Sequence, residues 1–195
     1  GRNTLRFYTP ELSAAVTHRM ELESRMRRAI AKQEFELYYQ PQIDIATKQI
    51  IGCEALLRWN DPDKGLVSPA DFIPLAEETG LIVQLGDWVL KKACQQAAEW
   101  RDMGLPEFHV AVNISPIHFK DPDLVYAVKK VLKETGWPAD KLEIELTESV
   151  VQTTADNLET FNRLREMNVR ISIDDFGTGY SSLASLKYLP IDCLK

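Results

Sequence analysis

The sequence predicts an α/β fold of the TIM-like (β/α) barrel kind with an antiparallel first strand, and two observations carry that expectation. Strand and helix signals alternate from about residue 34 to the end, the order that a parallel sheet with helical crossovers produces. In three of the strands one face is aliphatic (Val110 and Val112; Leu142, Ile144 and Leu146; Val169, Ile171 and Ile173). The other face carries Ala111 and Asn113, Glu143 and Glu145, or Ser172 and Asp174. A barrel satisfies both faces at once, because the aliphatic sides pack outward on helices while the polar sides converge inside near the strands' C-terminal ends. An open doubly wound sheet is the structural alternative and also puts ligands at strand C-termini, but buried acids suit it less well.

The elements follow in order. From about Ser13 to Lys32, Val16, Met20, Leu22, Met26 and Ile30 recur at roughly helical spacing among Arg and Glu, which predicts a charged amphipathic helix acting as a connector. Phe35 to Ile45 and Gln49 to Trp59 are strands joined by a short turn at Ala46, Thr47 and Lys48, so this opening pair is an antiparallel hairpin. Helices follow near Pro69 to Glu78 and Ile82 to Met103, then a strand from Phe108 to Ile114. A helix from Pro122 to Thr135 takes Asp121 as its cap. Strand Lys141 to Leu146, helix Thr154 to Met167, strand Val169 to Asp175 and helix Ser182 to Tyr188 complete the alternation, and a further strand starts near Ile191.

Composition narrows the function classes. At 195 residues, 45% apolar and 27% charged, the chain reads as one soluble globular domain with length enough for a core. Its net charge of −6, with no long basic block, argues against binding a nucleic acid polymer. A small anionic ligand still fits if metal ions or a few arginines reverse the sign locally. The three cysteines, Cys53, Cys94 and Cys193, are widely spaced and odd in number, which argues against a disulfide framework or a zinc site and for a reducing compartment. No apolar run reaches membrane-span length and no signal peptide is visible, so the expected location is cytoplasmic, whether or not a longer parent protein is anchored in a membrane.

The chemistry concentrates at strand ends. Asp174 and Asp175 close a β-branched run and open a glycine loop, and adjacent carboxylates repel, so burying them requires a cation or a network of donors. Glu54, Asn113, Glu145 and Glu148 each lie within or at the end of their own strand, and by parity Glu54 and Arg58 share a face. Arg58, Arg170 and Lys195 are too few to neutralise these acids, so divalent cations are expected. All-oxygen ligands favour Mg²⁺ or Mn²⁺ over zinc. His18, His109 and His118 read as surface or packing residues, since none stands at the polar end of a strand face. Gly177-Thr178-Gly179 reads as a turn, for as a phosphate loop it lacks the lysine pattern.

These same residues carry a family resemblance. Glu54-Ala55-Leu56 with Leu57-Arg58-Trp59, Asn113-Ile114-Ser115, Glu145-Leu146-Thr147-Glu148, and Asp174-Asp175-Phe176-Gly177-Thr178-Gly179-Tyr180-Ser181-Ser182-Leu183 resemble the ordered motifs of the EAL-domain family, bacterial phosphodiesterases of cyclic di-GMP. The match spans about Glu34 to Lys195. Asn3 to Gln33, with Arg6-Phe7-Tyr8-Thr9-Pro10, is similar to the segment that joins a preceding GGDEF domain to an EAL domain, which divides the chain into a connector at 1–33 and the domain at 34–195.

The resemblance implies that Glu54, Asn113, Glu145, Asp174 and Asp175 hold a pair of Mg²⁺ or Mn²⁺ ions, and that Lys195 positions the attacking water or hydroxide. It implies that Glu148 ties down the loop from Phe176 to Leu186, and that Gln40, Leu57 and Arg58 contact the dinucleotide, with Arg58 on a phosphate. The implied product is linear pGpG. The same loop is similar to the family's dimer contact, and GGDEF and sensory domains are the implied neighbours in a parent chain. A full barrel of eight βα units takes roughly 250 residues, so the barrel is expected to be incomplete at the C-terminus, inactive alone, and finished by residues beyond Lys195 or by another chain. The alternative function is a non-catalytic cyclic di-GMP receptor or regulatory module.

Overall fold

Parallel strands buried on both faces need helices to cover them, and the chain places helices between its parallel strands from residue 69 to residue 166. The computed structural model describes residues 10–177 and 189–195. Helix α1 (Pro10–Lys32) leads into strands β1 (Phe35–Ile43), β2 (Ile50–Asp61) and β3 (Gly65–Val67). Helices α2 (Pro69–Thr79) and α3 (Leu81–Asp102), strand β4 (His109–Asn113), and helices α4 (Pro116–Phe119) and α5 (Leu124–Thr135) follow. Strand β5 (Leu142–Thr147), helix α6 (Thr154–Glu166), strand β6 (Arg170–Asp174) and strand β7 (Cys193–Leu194) come last, with 3₁₀ turns at Ala139–Lys141 and Glu148–Thr153.

The seven strands form one sheet in the order β1-β2-β4-β5-β6-β7, with β3 paired to β2. β1 and β2 are antiparallel, whereas every step from β2 through β7 on that path is parallel. Among the described residues the sheet is open. The expected barrel geometry, with its antiparallel first pair, is therefore present as an arc. The helix expected at Ser182 to Tyr188 lies outside the described residues.

The aliphatic parity decides where the core sits. Val110, Val112, Leu142, Ile144, Ile171 and Ile173 are all fully buried, against Leu90, Ala93, Cys94 and Ala97 of α3, Val128 of α5 and Phe161 and Leu164 of α6. Truncating one of these branched residues to Ala removes about 2–5 kcal/mol, because a parallel strand between layers collapses poorly around a cavity. Cys53 and Cys94 are core fillers, while Cys193 is exposed. His118 is a packing histidine: its ring lies against Gly86 of α3, where a Cβ would come within 2.1 Å of Nδ1, and its Nε2 is 3.2 Å from Asp87 Oδ1.

A second core seats α1. Leu22, Met26 and Ala29 recur at helical spacing and are buried with Phe35, Trp59 and Phe72. The Arg25 guanidinium stands 5.4 Å from the centre of the Trp59 ring and donates from Nε to Asp61 Oδ2 at 3.0 Å. The other Asp61 oxygen accepts from the backbone N–H groups of Asp63 and Lys64, both at 2.9 Å, and so turns β2 into β3.

Sequence periodicity misses β3, whose three residues are too few to show alternation, although Asp61-Pro62-Asp63-Lys64-Gly65 is a turn composition. It also misses α4, a single turn started by Ser115, whose hydroxyl accepts from His118 N–H at 3.1 Å. The expected cap of α5 is corrected: Asp123 occupies the cap position, because the Asp121 carboxylate accepts from Asp123 N–H at 2.8 Å and spends residues 121–123 on a turn.

Burial alone would raise the Asp61 carboxyl, but Arg25 and the two N–H donors outweigh it and hold the group below the usual carboxylate range. A carboxyl held low in the fold stabilises above its ordinary range and loses that contribution as pH falls through the folded value. Asp61→Asn is therefore expected to lower the melting temperature at pH 7 by about 2–4 °C, corresponding to about 1 kcal/mol, and the gap to wild type closes as pH falls below 4. Thermal melts of the two proteins from pH 7 to pH 3 check this, and a gap that does not change with pH contradicts it.

Candidate active site

The inner face of the sheet collects the polar residues in register rows. Gln40, Glu54, Ala111, Glu143 and Arg170 lie side by side across β1, β2, β4, β5 and β6. One step toward the strand C-termini come Asn113, Glu145, Ser172 and Cys193, and beyond them Thr147 and Asp174. Because partners in a parallel ladder point to the same side, period-two spacing along each strand becomes a contiguous acidic surface across the sheet.

Glu54, Asn113, Glu145 and Lys195 are brought together there. Asn113 Nδ2 donates to Glu54 Oε1 at 2.7 Å, and Asn113 is the register neighbour of Glu145. The Lys195 ammonium reaches back from the end of β7 to contact Glu145 Oε1 and lies 2.9 Å from Glu143 Oε1. Below them His109 Nε2 is 2.7 Å from Gln42 Oε1 and 3.6 Å from Glu143 Oε2. Gly52 makes room for that ring, since a Cβ there would fall 2.4 Å from His109 Nε2.

Electrostatics differ between the paired acids. Burial first, then the charges of Glu54 and Glu143, raise the Glu145 carboxyl against the pull of Lys195. Burial would raise Glu143 as well, but the Lys195 ammonium holds that group below its ordinary value. Burial works against the Lys195 ammonium and is outweighed by Glu145 and Glu143, so it is held above the usual lysine value. His109 is pushed down, chiefly by burial.

The loop after β6 is tied to the same site from both sides. Asp174 is half-buried at the strand end, and Asp175 turns the chain in a left-handed conformation (φ 55°), which Asp tolerates better than most residues. Phe176 N–H donates to the Lys195 carbonyl at 3.1 Å, and Gly177 N–H donates to Glu148 Oε2 at 3.0 Å. The rest of loop 176–186 lies outside the described residues.

The remaining expected contacts spread along the rim. Gln40 is exposed in register with Glu54, and Arg58 lies with its guanidinium 5.5 Å from the centre of the Tyr38 ring and donates to the Leu57 carbonyl at 2.9 Å. Leu57 has the opposite parity and packs against the apolar cores, while also lining a cleft of about 500 Å³ with Leu56, Arg58, Asn113, Ser115 and Thr147. A cavity of similar size between α1 and α2 is lined by none of these acids.

Among the described residues no three carboxylate, imidazole or thiol ligands converge on one point. The donor set nevertheless fits a hard divalent cation in kind: it is made of carboxylate and amide oxygens, and a lysine ammonium already sits against Glu145 where positive charge is demanded. Glu143, His109 and Gln42 are the members that sequence reading did not assign to the site. The signal was the Glu143-x-Glu145 alternation, which puts both acids on one face.

Comparisons with known proteins agree on kinship. Residues 23–195 match the model of the EAL domain family. The bifunctional diguanylate cyclase/cyclic di-GMP phosphodiesterase MucR of Pseudomonas aeruginosa is 43% identical over 196 residues, covering 100% of this chain and 29% of MucR. The cyclic di-GMP phosphodiesterase NbdA of the same organism is 41% identical over 196 residues, covering 100% of this chain and 25% of NbdA. The chain thus spans between 25% and 29% of the length of these two relatives. A solved structure of the PaMucR phosphodiesterase in complex with c-di-GMP superposes with a TM-score of 0.85 at 44% identity, covering 89% of this chain and 71% of that one.

The close approach at Gly52 gives a test of how the inner face is held. Gly52→Ala displaces the His109 ring and separates it from Gln42, and is expected to destabilise the fold by about 1–3 kcal/mol. Adding His109→Ala to Gly52→Ala recovers part of that loss. Denaturant unfolding of the single and double variants checks it, and strictly additive losses contradict the clash.

Proposed function

Because the chain belongs to the EAL-domain family, we propose that it is the working part of a cyclic di-GMP phosphodiesterase, cleaving the cyclic dinucleotide to linear pGpG with Mg²⁺ or Mn²⁺. The observation that carries this reading is the cluster of Glu54, Asn113 and Glu145 on the inner faces of the neighbouring strands β2, β4 and β5, with Asn113 donating to Glu54 and standing in register with Glu145. Cyclic di-GMP is the ligand in the complex of the related phosphodiesterase, and the substrate named for MucR and NbdA.

In this reading Glu54, Asn113, Glu145, Asp174 and Asp175 hold the ions. A bound pair of divalent cations lowers the pKa of water, polarises a phosphodiester and stabilises the leaving oxygen. The chain's own groups do the rest. Arg58, planar and always charged, takes a phosphate oxygen at the rim, and Gln40 supplies amide hydrogen bonds beside Glu54. Leu57 contributes through the wall of the cleft next to Asn113. Lys195 orients the attacking water with its ammonium, and Glu148 acts by holding the Gly177 backbone and hence the loop that follows Asp175.

The proposal extends to a longer signalling protein. It carries a cytoplasmic domain preceded by GGDEF and sensory domains, with residues 1–33 as the connector, and a homodimer contact through loop 176–186. No described helix is long and apolar enough to cross a membrane. A binding-only receptor is the competing function. On its side stands the Lys195 ammonium already seated on Glu145; against it stand the oxygen ligands at Glu54, Asn113, Glu145, Asp174 and Asp175.

Glu54→Ala in the full-length protein distinguishes the two. It removes a ligand while leaving Arg58 and Gln40 to hold the nucleotide, so turnover is expected to fall on the order of 100-fold or more with cyclic di-GMP affinity changed far less. Product chromatography and calorimetry on one preparation check this. Wild-type turnover that persists in excess EDTA contradicts the metal-dependent reading, and equal losses of binding and turnover in the variant assign Glu54 to the fold.

A further inference from the structure

Glu143 is a buried carboxylate, 3% exposed, to which the proposed chemistry gives no task. It stands two residues before Glu145 on the same face of β5, about 7 Å away along the strand, and one lysine ammonium serves both acids: Lys195 Nζ touches Glu145 and is 2.9 Å from Glu143 Oε1. Glu143 is not placed as Glu145 is. Its register neighbours are Ala111 and Arg170, whereas those of Glu145 are Asn113 and Ser172. Its second oxygen faces His109 Nε2 at 3.6 Å, and that ring is held by Gln42. Glu143 is thus built into the floor of the site, with a cationic partner above and an imidazole below, while Glu145 sits in the row that includes the Asn113 amide.

From this arrangement, and resting on the metal-dependent reading, we infer that Glu143 is a positioning residue that receives the Lys195 ammonium when Glu145 turns to a divalent cation. Two cations cannot share Glu145 without strong repulsion at short range in a poorly solvated interior. With Glu143 in place, the ammonium needs only to give up Glu145 and keep its existing contact to Glu143. It remains in the site, its charge matched, beside the row it serves. Without Glu143 the ammonium has Glu145 as its single strong partner and competes with the ion for it.

Mn²⁺ binding to the full-length protein without substrate, read by electron paramagnetic resonance or calorimetry, tests the inference apart from turnover. Glu143→Gln keeps the volume and removes the charge, and is expected to weaken Mn²⁺ affinity about 10-fold. Adding Lys195→Met to that variant removes the competitor and restores most of the affinity although turnover stays lost, a recovery that a purely structural Glu143 does not produce. Glu143→Asp keeps the charge with a shorter reach, serves as the measured variant if the amide fails to fold, and shows a smaller loss. Unchanged Mn²⁺ affinity in Glu143→Gln or Glu143→Asp, or no recovery with Lys195→Met, overturns the inference alone. Failure of the unsubstituted protein to bind Mn²⁺ overturns the metal-dependent reading beneath it.

Discussion

Strand β5 imposes the constraint on which the rest of the structure depends: it is buried on both faces, yet one face is made of glutamates. Leu142, Ile144 and Leu146 supply the helix-facing side, and Glu143 and Glu145, 3% and 1% exposed, supply the other. Charges so deep are tolerated only with partners. The partners come from elements distant in sequence, Lys195 from just past β7 and His109 from β4, while beside Glu145 the Asn113 amide of β4 donates to Glu54 of β2. The inner face therefore cannot assemble strand by strand. Its electrostatics close only when β2, β4, β5, β6 and β7 lie in register, so the features that make the site chemically useful also make it a reporter of correct sheet order.

The same coupling runs from the sheet into the loop after β6. Lys195 acts through two different groups: its ammonium serves the acids, and its carbonyl accepts from Phe176 N–H. Glu148, just past β5, accepts from Gly177 N–H. Asp175 immediately precedes these two anchored residues and turns the chain in a left-handed conformation. A change in how Lys195 is shared between Glu143 and Glu145 is thus mechanically close to the backbone of Asp175 and Phe176. This follows from hydrogen bonds on the main chain and does not require any large movement of the sheet.

What was legible in the sequence was legible through parity. Period-two alternation at 110–113, 142–146 and 169–174 gave the parallel strands, their buried face and the row of acids, because a strand's side-chain direction is fixed by its own backbone. The oxygen chemistry of Glu54, Asn113 and Glu145 followed from the same rule. The links between strands did not. No local pattern says that a lysine at 195 reaches back to acids at 143 and 145, or that Gly52 is bare so that a histidine 57 residues later can lie across it. Helix starts went astray for a related reason: Asp121 and Asp123 both have capping chemistry, and only the competing turn in the folded chain chooses between them. β3 and α4 are single-turn or three-residue elements set by Asp61 and Ser115 side chains, below the length at which periodicity exists.

Helix α1 shows how a segment that reads as a connector is drawn into a domain. Its charged face and modest apolar stripe suit a linker, but Leu22, Met26 and Ala29 reach the core formed by Phe35, Trp59 and Phe72. Arg25 then does three things at once: it covers the Trp59 ring, neutralises Asp61 and, through Asp61, supports the turn into β3. Farther toward the N-terminus, Val16 and Met20 on the same helix stay more than half exposed. The helix is thus anchored to the sheet at one end and presents apolar side chains at the other. β2 is the strand that carries Glu54 and Arg58, and it ends in the Asp61 turn that Arg25 braces. Arg25 thus couples the seating of α1 to the end of the strand that holds the first carboxylate of the site.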